Sequence, residues 1–346
     1  MKKNVLVIDD SALMRRVISD IIDKTEDFKV THEVSNGFEG LAVLDSESID
    51  IIILDMHMPR MNGVEFMRVL KENQIQIPVI TISGYSQRDT KDTLEVLELG
   101  ALEFLRKPDN IVADKDAFRH VLLRVLKYAI AEKQEVQSDY VEVRPKTVRE
   151  KKSGRGKLVV IASSTGGPKA LQDVVPLLPA NLNAPVLIVQ HMPAGFTNSL
   201  ASRLDHLSEI SVHESRHNVM LQKGHVYIAK GGQHMLIESR GSEHFIVCSD
   251  AAPISGLRPC ANLTFYSLDQ SEYEEIVCVV LTGMGADGTK GIGHLNSSKM
   301  IYVIAQDAET STIYGMPKAI TEAGLVDEIK PLNEIADAIV KKVGVF

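Results

Sequence analysis

The sequence predicts an α/β protein made of two doubly wound domains, each on a largely parallel sheet, and three observations predict it. Short, wholly apolar runs recur along the chain, among them Val5-Leu6-Val7-Ile8, Ile51-Ile52-Ile53-Leu54 and Leu158-Val159-Val160-Ile161. Runs this apolar suit strands buried on both faces of a parallel sheet. Helical patterns alternate with them at short spacing, as βαβ units require. Polar and charged residues stand at or just past the ends of the runs. In a parallel sheet those C-terminal strand ends open onto one crevice, where ligands bind.

At 346 residues the chain is long enough for two domains with separate cores. A hydrophobic content of 44% is ordinary for a soluble protein. The net charge of -8 and pI near 5.8 argue against nucleic acid as a partner. Cys248, Cys260 and Cys278 are too few and too scattered for a disulfide framework or a CxxC metal site, and read as buried thiols in a reducing cytosol. Lys2-Lys3 precedes only a short uncharged stretch before Asp9, too little for a signal-peptide core. No apolar run approaches the ~20 residues that span a bilayer, so neither membrane insertion nor export is expected and the location is cytoplasmic.

The first domain is expected over residues 3–127. Its closing helix, 117–130, shows a helical apolar pattern through Phe118, Val121, Leu122, Val125 and Leu126. Periodicity then stops over 131–156, a stretch rich in Lys, Glu, Gln and Ser that carries Pro145 and Ser153-Gly154-Arg155-Gly156. Such a composition reads as a linker. The second domain, 157–346, resumes the alternation with Leu158-Val159-Val160-Ile161, Val186-Leu187-Ile188-Val189, Ile276-Val277-Cys278-Val279-Val280-Leu281 and Met300-Ile301-Tyr302-Val303-Ile304. Between the second and third of these, Gly224-His225-Val226-Tyr227-Ile228-Ala229 and residues 234–237 suggest a hairpin-rich insertion.

Asp9 and Asp10 end the first apolar run and Asp55 ends the run at 51–54. Three carboxylates gathered at one sheet edge repel one another unless a hard cation offsets their charge, and Mg2+ suits oxygen ligands. The competing reading is a helix cap, which Asp10-Ser11 would serve. Two further strand ends favour the cation. Pro78-Val79-Ile80-Thr81-Ile82 leads to the hydroxyl of Ser83, and Glu103-Phe104-Leu105-Arg106 leads to Lys107. A hydroxyl and an ammonium beside an acidic, metal-loaded pocket make a phosphoryl site.

These residues resemble the receiver domain of two-component response regulators. The resemblance implies that Asp55 is the phospho-acceptor and Asp10 a Mg2+ ligand, with Asp9 on the metal's water shell and the His57 backbone carbonyl completing the set. It also implies that Ser83 and Lys107 bind phosphoryl oxygens and that Phe104 is the switch aromatic. Met58-Pro59-Arg60-Met61-Asn62-Gly63 matches the loop after the acceptor.

In the second domain the strand ends lead to Ser163-Ser164-Thr165-Gly166-Gly167, to Gln190-His191-Met192-Pro193 and to Thr282-Gly283-Met284-Gly285-Ala286-Asp287-Gly288. A serine, a histidine and an aspartate converging there meet the needs of an activated hydroxyl nucleophile. A sharp strand-to-helix turn also aims free N–H groups at the reacting centre. Each residue has a plainer reading: Ser164 as a helix cap, His191 as one of eleven histidines, and Asp307 as a competitor of Asp287.

Two other classes fit less well. Gly283, Gly285 and Gly288 form GxGxxG with Asp307 about 20 residues on, as in a dinucleotide fingerprint. Asp287 would then face the pyrophosphate with like charge, and little chain remains for the rest of such a domain. An α/β-hydrolase needs GxSxG and the order Ser, Asp, His. Here the order is Ser164, His191, Asp287.

Taken together, Ser164-Thr165-Gly166-Gly167, the segment from Gln190 to Thr197, Gly224-His225-Val226-Tyr227-Ile228-Ala229, Leu281 to Gly288, Ala305-Gln306-Asp307 and Tyr314-Gly315-Met316-Pro317 resemble the CheB family of chemotaxis protein-glutamate methylesterases. The resemblance implies Ser164 as nucleophile, His191 as general acid/base, Asp287 as its orienter, and backbone N–H groups of Thr165 and Met284 as oxyanion donors, with no cofactor in this domain. It implies hydrolysis of glutamyl methyl esters on chemoreceptors, with deamidation of specific glutamines. A histidine kinase would be the phosphodonor, and the receiver would obstruct the catalytic cleft until phosphorylated. The alternative is a receiver with a non-catalytic docking domain. Ala162 and Ser163 stand where the family usually has Gly-Ala, and Cys260 and Asn262 where it has Ser and Asp. The latter pair is expected to affect substrate-side contacts rather than the triad.

Overall fold

The structure is a computed structural model that describes residues 2–84, 87–108, 110, 113–130 and 156–346. The chain divides into two compact units, Met1–Glu135 and Val136–Phe346. Residues 131–155 of the expected linker lie outside the described residues.

The first unit runs β1 (Lys3–Ile8), α1 (Ala12–Ile22), β2 (Phe28–Val34), α2 (Gly37–Ser46), β3 (Ile51–Asp55), α3 (Gly63–Glu72), β4 (Val79–Ser83), α4 (Gln87–Leu99), β5 (Glu103–Arg106) and α5 (Lys115–Ile130). The strands form a sheet in the order β2-β1-β3-β4-β5, parallel throughout. Val5, Leu6, Val7 and Ile8 are all buried, because helices cover both faces. α1 buries Met14, Val17, Ile18, Ile21 and Ile22, the i, i+3, i+4 spacing of one helix face. Its N-cap is Ser11, whose hydroxyl accepts from the Met14 N–H. Capping thus falls to Ser11, and Asp10 stays exposed. The strand order reverses between β1 and β3, where Ile8 pairs with Leu54, so Asp9 and Asp55 leave the sheet side by side.

The second unit runs β6 (Lys157–Ser163), α6 (Gly167–Val174), β7 (Val186–Gln190), α7 (Phe196–Leu207), β8 (Ser211–Glu214), β9 (Val219–Met220), β10 (His225–Ile228), β11 (His234–Arg240), β12 (Glu243–Ser249), α8 (Ala261–Ser267), β13 (Glu275–Val280), α9 (Thr289–Ser298), β14 (Ile301–Gln306), α10 (Met316–Glu322), β15 (Glu328–Lys330) and α11 (Leu332–Val343). Seven strands pair in the order β15-β14-β13-β6-β7-β10-β8, all parallel.

One expectation fails here. Residues 224–229 do not belong to a hairpin; β10 enters the main sheet between β7 and β8. Val226, Tyr227 and Ile228 are buried, which suits a strand covered on both faces. The hairpin is β11–β12, joined by β9 into a small antiparallel sheet. Its Met235, Ile237 and Ile246 pack with Phe265 and Leu268 in the domain core.

Candidate active site

In the first unit, one carboxylate oxygen from each of Asp9, Asp10 and Asp55 lies within 4.8 Å of the others. Lys107 Nζ sits 3.0 Å from Asp55 Oδ2 and 3.4 Å from Asp9 Oδ2. Despite that charge contact, Asp9 Oδ2 is buried without a hydrogen bond. Burial, then the Asp55 charge, pushes the Asp9 carboxyl up to about 6. Burial also raises Asp55 against the pull of Lys107. Lys107 itself is raised, because the attraction of Asp55 and Asp9 outweighs its burial. Two buried carboxylates beside the exposed Asp10 are a donor set that a hard divalent cation fits. The Ser83 hydroxyl, 1% exposed, accepts a hydrogen bond from Thr93 Oγ1 on α4 at 2.9 Å. Phe104 is buried on β5.

In the second unit the order reverses between β6 and β13, and β6 also neighbours β7. Ser164, His191 and Asp287 therefore leave adjacent strands at one edge. His191 Nε2 lies 2.8 Å from Asp287 Oδ2, while its Nδ1 is buried without a hydrogen-bond partner. Asp287 also accepts from the N–H groups of Ala261 (2.6 Å), Asn262 (3.0 Å) and Gly288 (3.0 Å), and from the Cys260 thiol (3.2 Å). Burial alone would raise this carboxyl; the bonds from His191, Asn262 and Ala261 bring it down to about 2. Asp307 is engaged elsewhere, its Oδ1 accepting from the Thr310 N–H and hydroxyl at 2.9 and 2.6 Å.

The adjacent serines differ. Ser163, fully buried, donates to Gln190 Oε1 at 2.7 Å. Ser164 is partly exposed, and its N–H is taken by the Thr282 carbonyl at 3.0 Å. Gly283 crosses directly over it: a Cβ there would meet Ser164 Cβ at 2.7 Å.

Buried amides and hydroxyls tie these loops together. Gln190 Nε2 donates to the carbonyls of Ser164 (2.9 Å) and His191 (3.2 Å). Thr282 Oγ1 donates to the Thr165 carbonyl at 3.0 Å, and Gln306 Oε1 accepts from the Thr282 N–H at 2.8 Å.

Residues 159–339 match the family model for CheB methylesterase and residues 5–119 that for the response regulator receiver domain. A protein-glutamate methylesterase/protein-glutamine glutaminase of Syntrophomonas wolfei is 40% identical, covering 98% of each chain. The chain belongs to the CheB methylesterase family. A Bacillus subtilis protein of the same description is 38% identical over 97% of each chain. The CheB methylesterase catalytic domain of Thermotoga maritima, a crystal structure, aligns with a TM-score of 0.53 and 39% identity, covering 55% of this chain and 100% of that one.

Within the CheB frame, two departures act differently from expectation. Neither stands apart from Asp287: the Cys260 thiol donates to its carboxylate, and the Asn262 amide oxygen accepts from the adjoining Gly288 N–H. Burial, then the Asp287 charge, pushes the Cys260 thiol up to about 12, so it remains neutral. The contacts of Gln190, Thr282 and Thr93 go beyond the sequence-based expectations. Gln190 and Thr282 are polar residues ending apolar runs, a signal the sequence did carry.

Proposed function

We propose that this chain is a phosphorylation-activated protein-glutamate methylesterase, and a glutamine deamidase, acting on chemoreceptors. The observation that carries the catalytic half is the His191–Asp287 contact with the second ring nitrogen left over. A carboxylate only accepts hydrogen bonds, so the shared proton belongs to Nε2 and the lone pair to Nδ1. This is the reverse of the serine-protease arrangement, where the aspartate faces Nδ1. Nδ1 takes the Ser164 proton as Oγ attacks the ester carbonyl, then returns it to the departing methanol. Water, deprotonated in turn by His191, hydrolyses the glutamyl-serine ester to glutamate. With a glutamine substrate the leaving group is ammonia. By the family resemblance, the oxyanion is assigned to the backbone N–H groups of Thr165 and Met284.

In the receiver, Asp55 accepts a phosphoryl group from a chemotaxis histidine kinase. Asp10, Asp55 and the His57 carbonyl would hold Mg2+, with Asp9 on its water shell. Bound there, the cation supplies charge neutralisation for the transferring phosphoryl group. Ser83 and Lys107 bind phosphoryl oxygens, and Phe104 turns inward as Ser83 moves. The unphosphorylated receiver restrains the catalytic domain, which requires a difference in interaction energy between its two states. A docking module in place of the hydrolase has no use for a buried histidine–aspartate pair with a spare ring nitrogen.

The test is methanol release from membranes bearing methylated receptors, with Mg2+ and with or without acetyl phosphate. Wild type is expected to accelerate with the phosphodonor and Asp55→Asn to stay at the basal rate. Equal stimulation of both proteins would refute the reading.

A further inference from the structure

The contacts of Asp287 and Asn262 are reciprocal. Asp287 lies just before α9, yet its carboxylate accepts from the Ala261 and Asn262 N–H groups that begin α8. Asn262 lies in the first turn of α8, yet its Oδ1 accepts from the Gly288 N–H at 3.2 Å and the Gly291 N–H at 2.7 Å, at the start of α9. Each helix thus supplies the oxygen that satisfies the other's free N–H groups. The exchange requires close approach, and Gly291 permits it: a Cβ there would meet the Asn262 carbonyl oxygen at 2.8 Å and Phe265 Cβ at 2.7 Å. The Gly288 N–H is shared between Asp287 Oδ1 and Asn262 Oδ1. Two side-chain oxygens therefore meet at one donor, and only one of them carries charge.

We infer that Asn262 is a positioning residue for the catalytic pair: its neutral amide locks the start of α9, and so the Asp287 carboxylate, against His191 without adding a second negative charge. This inference rests on the proposed roles of Ser164, His191 and Asp287. The ionisable groups in hydrogen-bond contact with the Asp287 carboxylate are His191 and the Cys260 thiol; its other donors are backbone N–H groups. With the thiol neutral, a carboxylate introduced at 262 would be the only new charge. It would favour imidazolium, and His191 acts as a base only when neutral.

The experiment is the pH dependence of kcat/KM for methyl-ester hydrolysis by the full-length protein, comparing wild type, Asn262→Asp, Asn262→Ala and, as reference, Ser164→Ala. Asn262→Asp keeps an acceptor for α9 and is expected to melt near wild type, but with the acid limb of its profile moved up by about 0.5–1 pH unit. Asn262→Ala is expected to lower kcat about tenfold at unchanged KM, because the start of α9 that carries Asp287 loses the acceptor that fixes it; this variant decides the matter if the aspartate variant does not fold. A purely structural cap predicts lower melting temperatures with wild-type kcat and an unmoved acid limb, and that result overturns the inference. Activity persisting in Ser164→Ala would instead refute the underlying triad, so the two failures are distinguishable.

Discussion

His191 meets Asp287 through Nε2, at 2.8 Å, and keeps Nδ1 unpartnered inside the domain. A buried, unpartnered nitrogen costs stability unless another group uses it. On the proposed mechanism that group is the Ser164 hydroxyl or the leaving methanol.

This geometry predicts unequal roles for the two candidate aspartates. Asp287→Ala should lower kcat by up to about 10⁴-fold, the scale seen when such an orienter is lost. Asp307→Ala, which removes only the local bonds to Thr310, should remain within a few-fold of wild type. Steady-state methanol release from folded variants checks this, and comparable losses would reassign the partner of His191.

Asp287 also predicts an acid-stability limb. Its carboxyl is depressed from 3.8 to about 2 in the folded protein. A depressed acid stabilises the fold above its unfolded value and loses that contribution as pH falls through the folded one. Stability attributable to Asp287 should therefore be complete above pH ~4 and decline towards pH ~2. Denaturant melts across this range should be less steeply pH-dependent in Asp287→Asn than in wild type. An identical dependence would mean that the carboxylate is not held by these bonds.

The receiver carries a pH prediction of opposite origin. Asp9 is raised to about 6 by burial and by Asp55, so below that pH a proton competes with the cation. Calorimetric Mg2+ affinity should fall roughly tenfold per pH unit below about 6 and level off above about 7. Affinity constant from pH 5 to 8 would contradict the assignment of Asp9 to the metal's shell.

Restraint by the receiver predicts that residues 156–346 alone hydrolyse methyl esters faster than the unphosphorylated whole chain. The corresponding catalytic domain of the Thermotoga maritima relative was crystallised by itself. Matched assays at equal concentration decide the point; if the fragment only equals the whole, phosphorylation works by activation alone.

The parts legible in the sequence were those set by neighbours along the chain. Val5 to Ile8 followed by Asp9 announces a buried strand with a charged end, and Ser11 sits where a helix cap must. The place of the segment around Val226 is not legible locally, because its partners, β7 and β8, are specified by the sheet rather than by adjacent residues. The contact of Asn262 with the start of α9 is hidden for the same reason. Its bonds to Gly288 and Gly291 span 26 and 29 residues, and no local pattern of charge or hydrophobicity encodes two helices capping each other. Ser163 turns into the packing beside its strand. The buried Gln190 that receives its hydroxyl gives that direction a physical cause.

The central claim is that Ser164, and not its neighbour, is the nucleophile. Methanol release from methylated receptor membranes by Ser164→Ala and Ser163→Ala, each shown to be folded, tests it most directly. Removing the Ser163 hydroxyl leaves Gln190 Oε1 without its donor, so that variant should lose about 1–3 kcal/mol of stability yet turn over within a few-fold of wild type. Ser164→Ala should release no methanol above background; activity surviving in Ser164→Ala and abolished in folded Ser163→Ala would contradict the account.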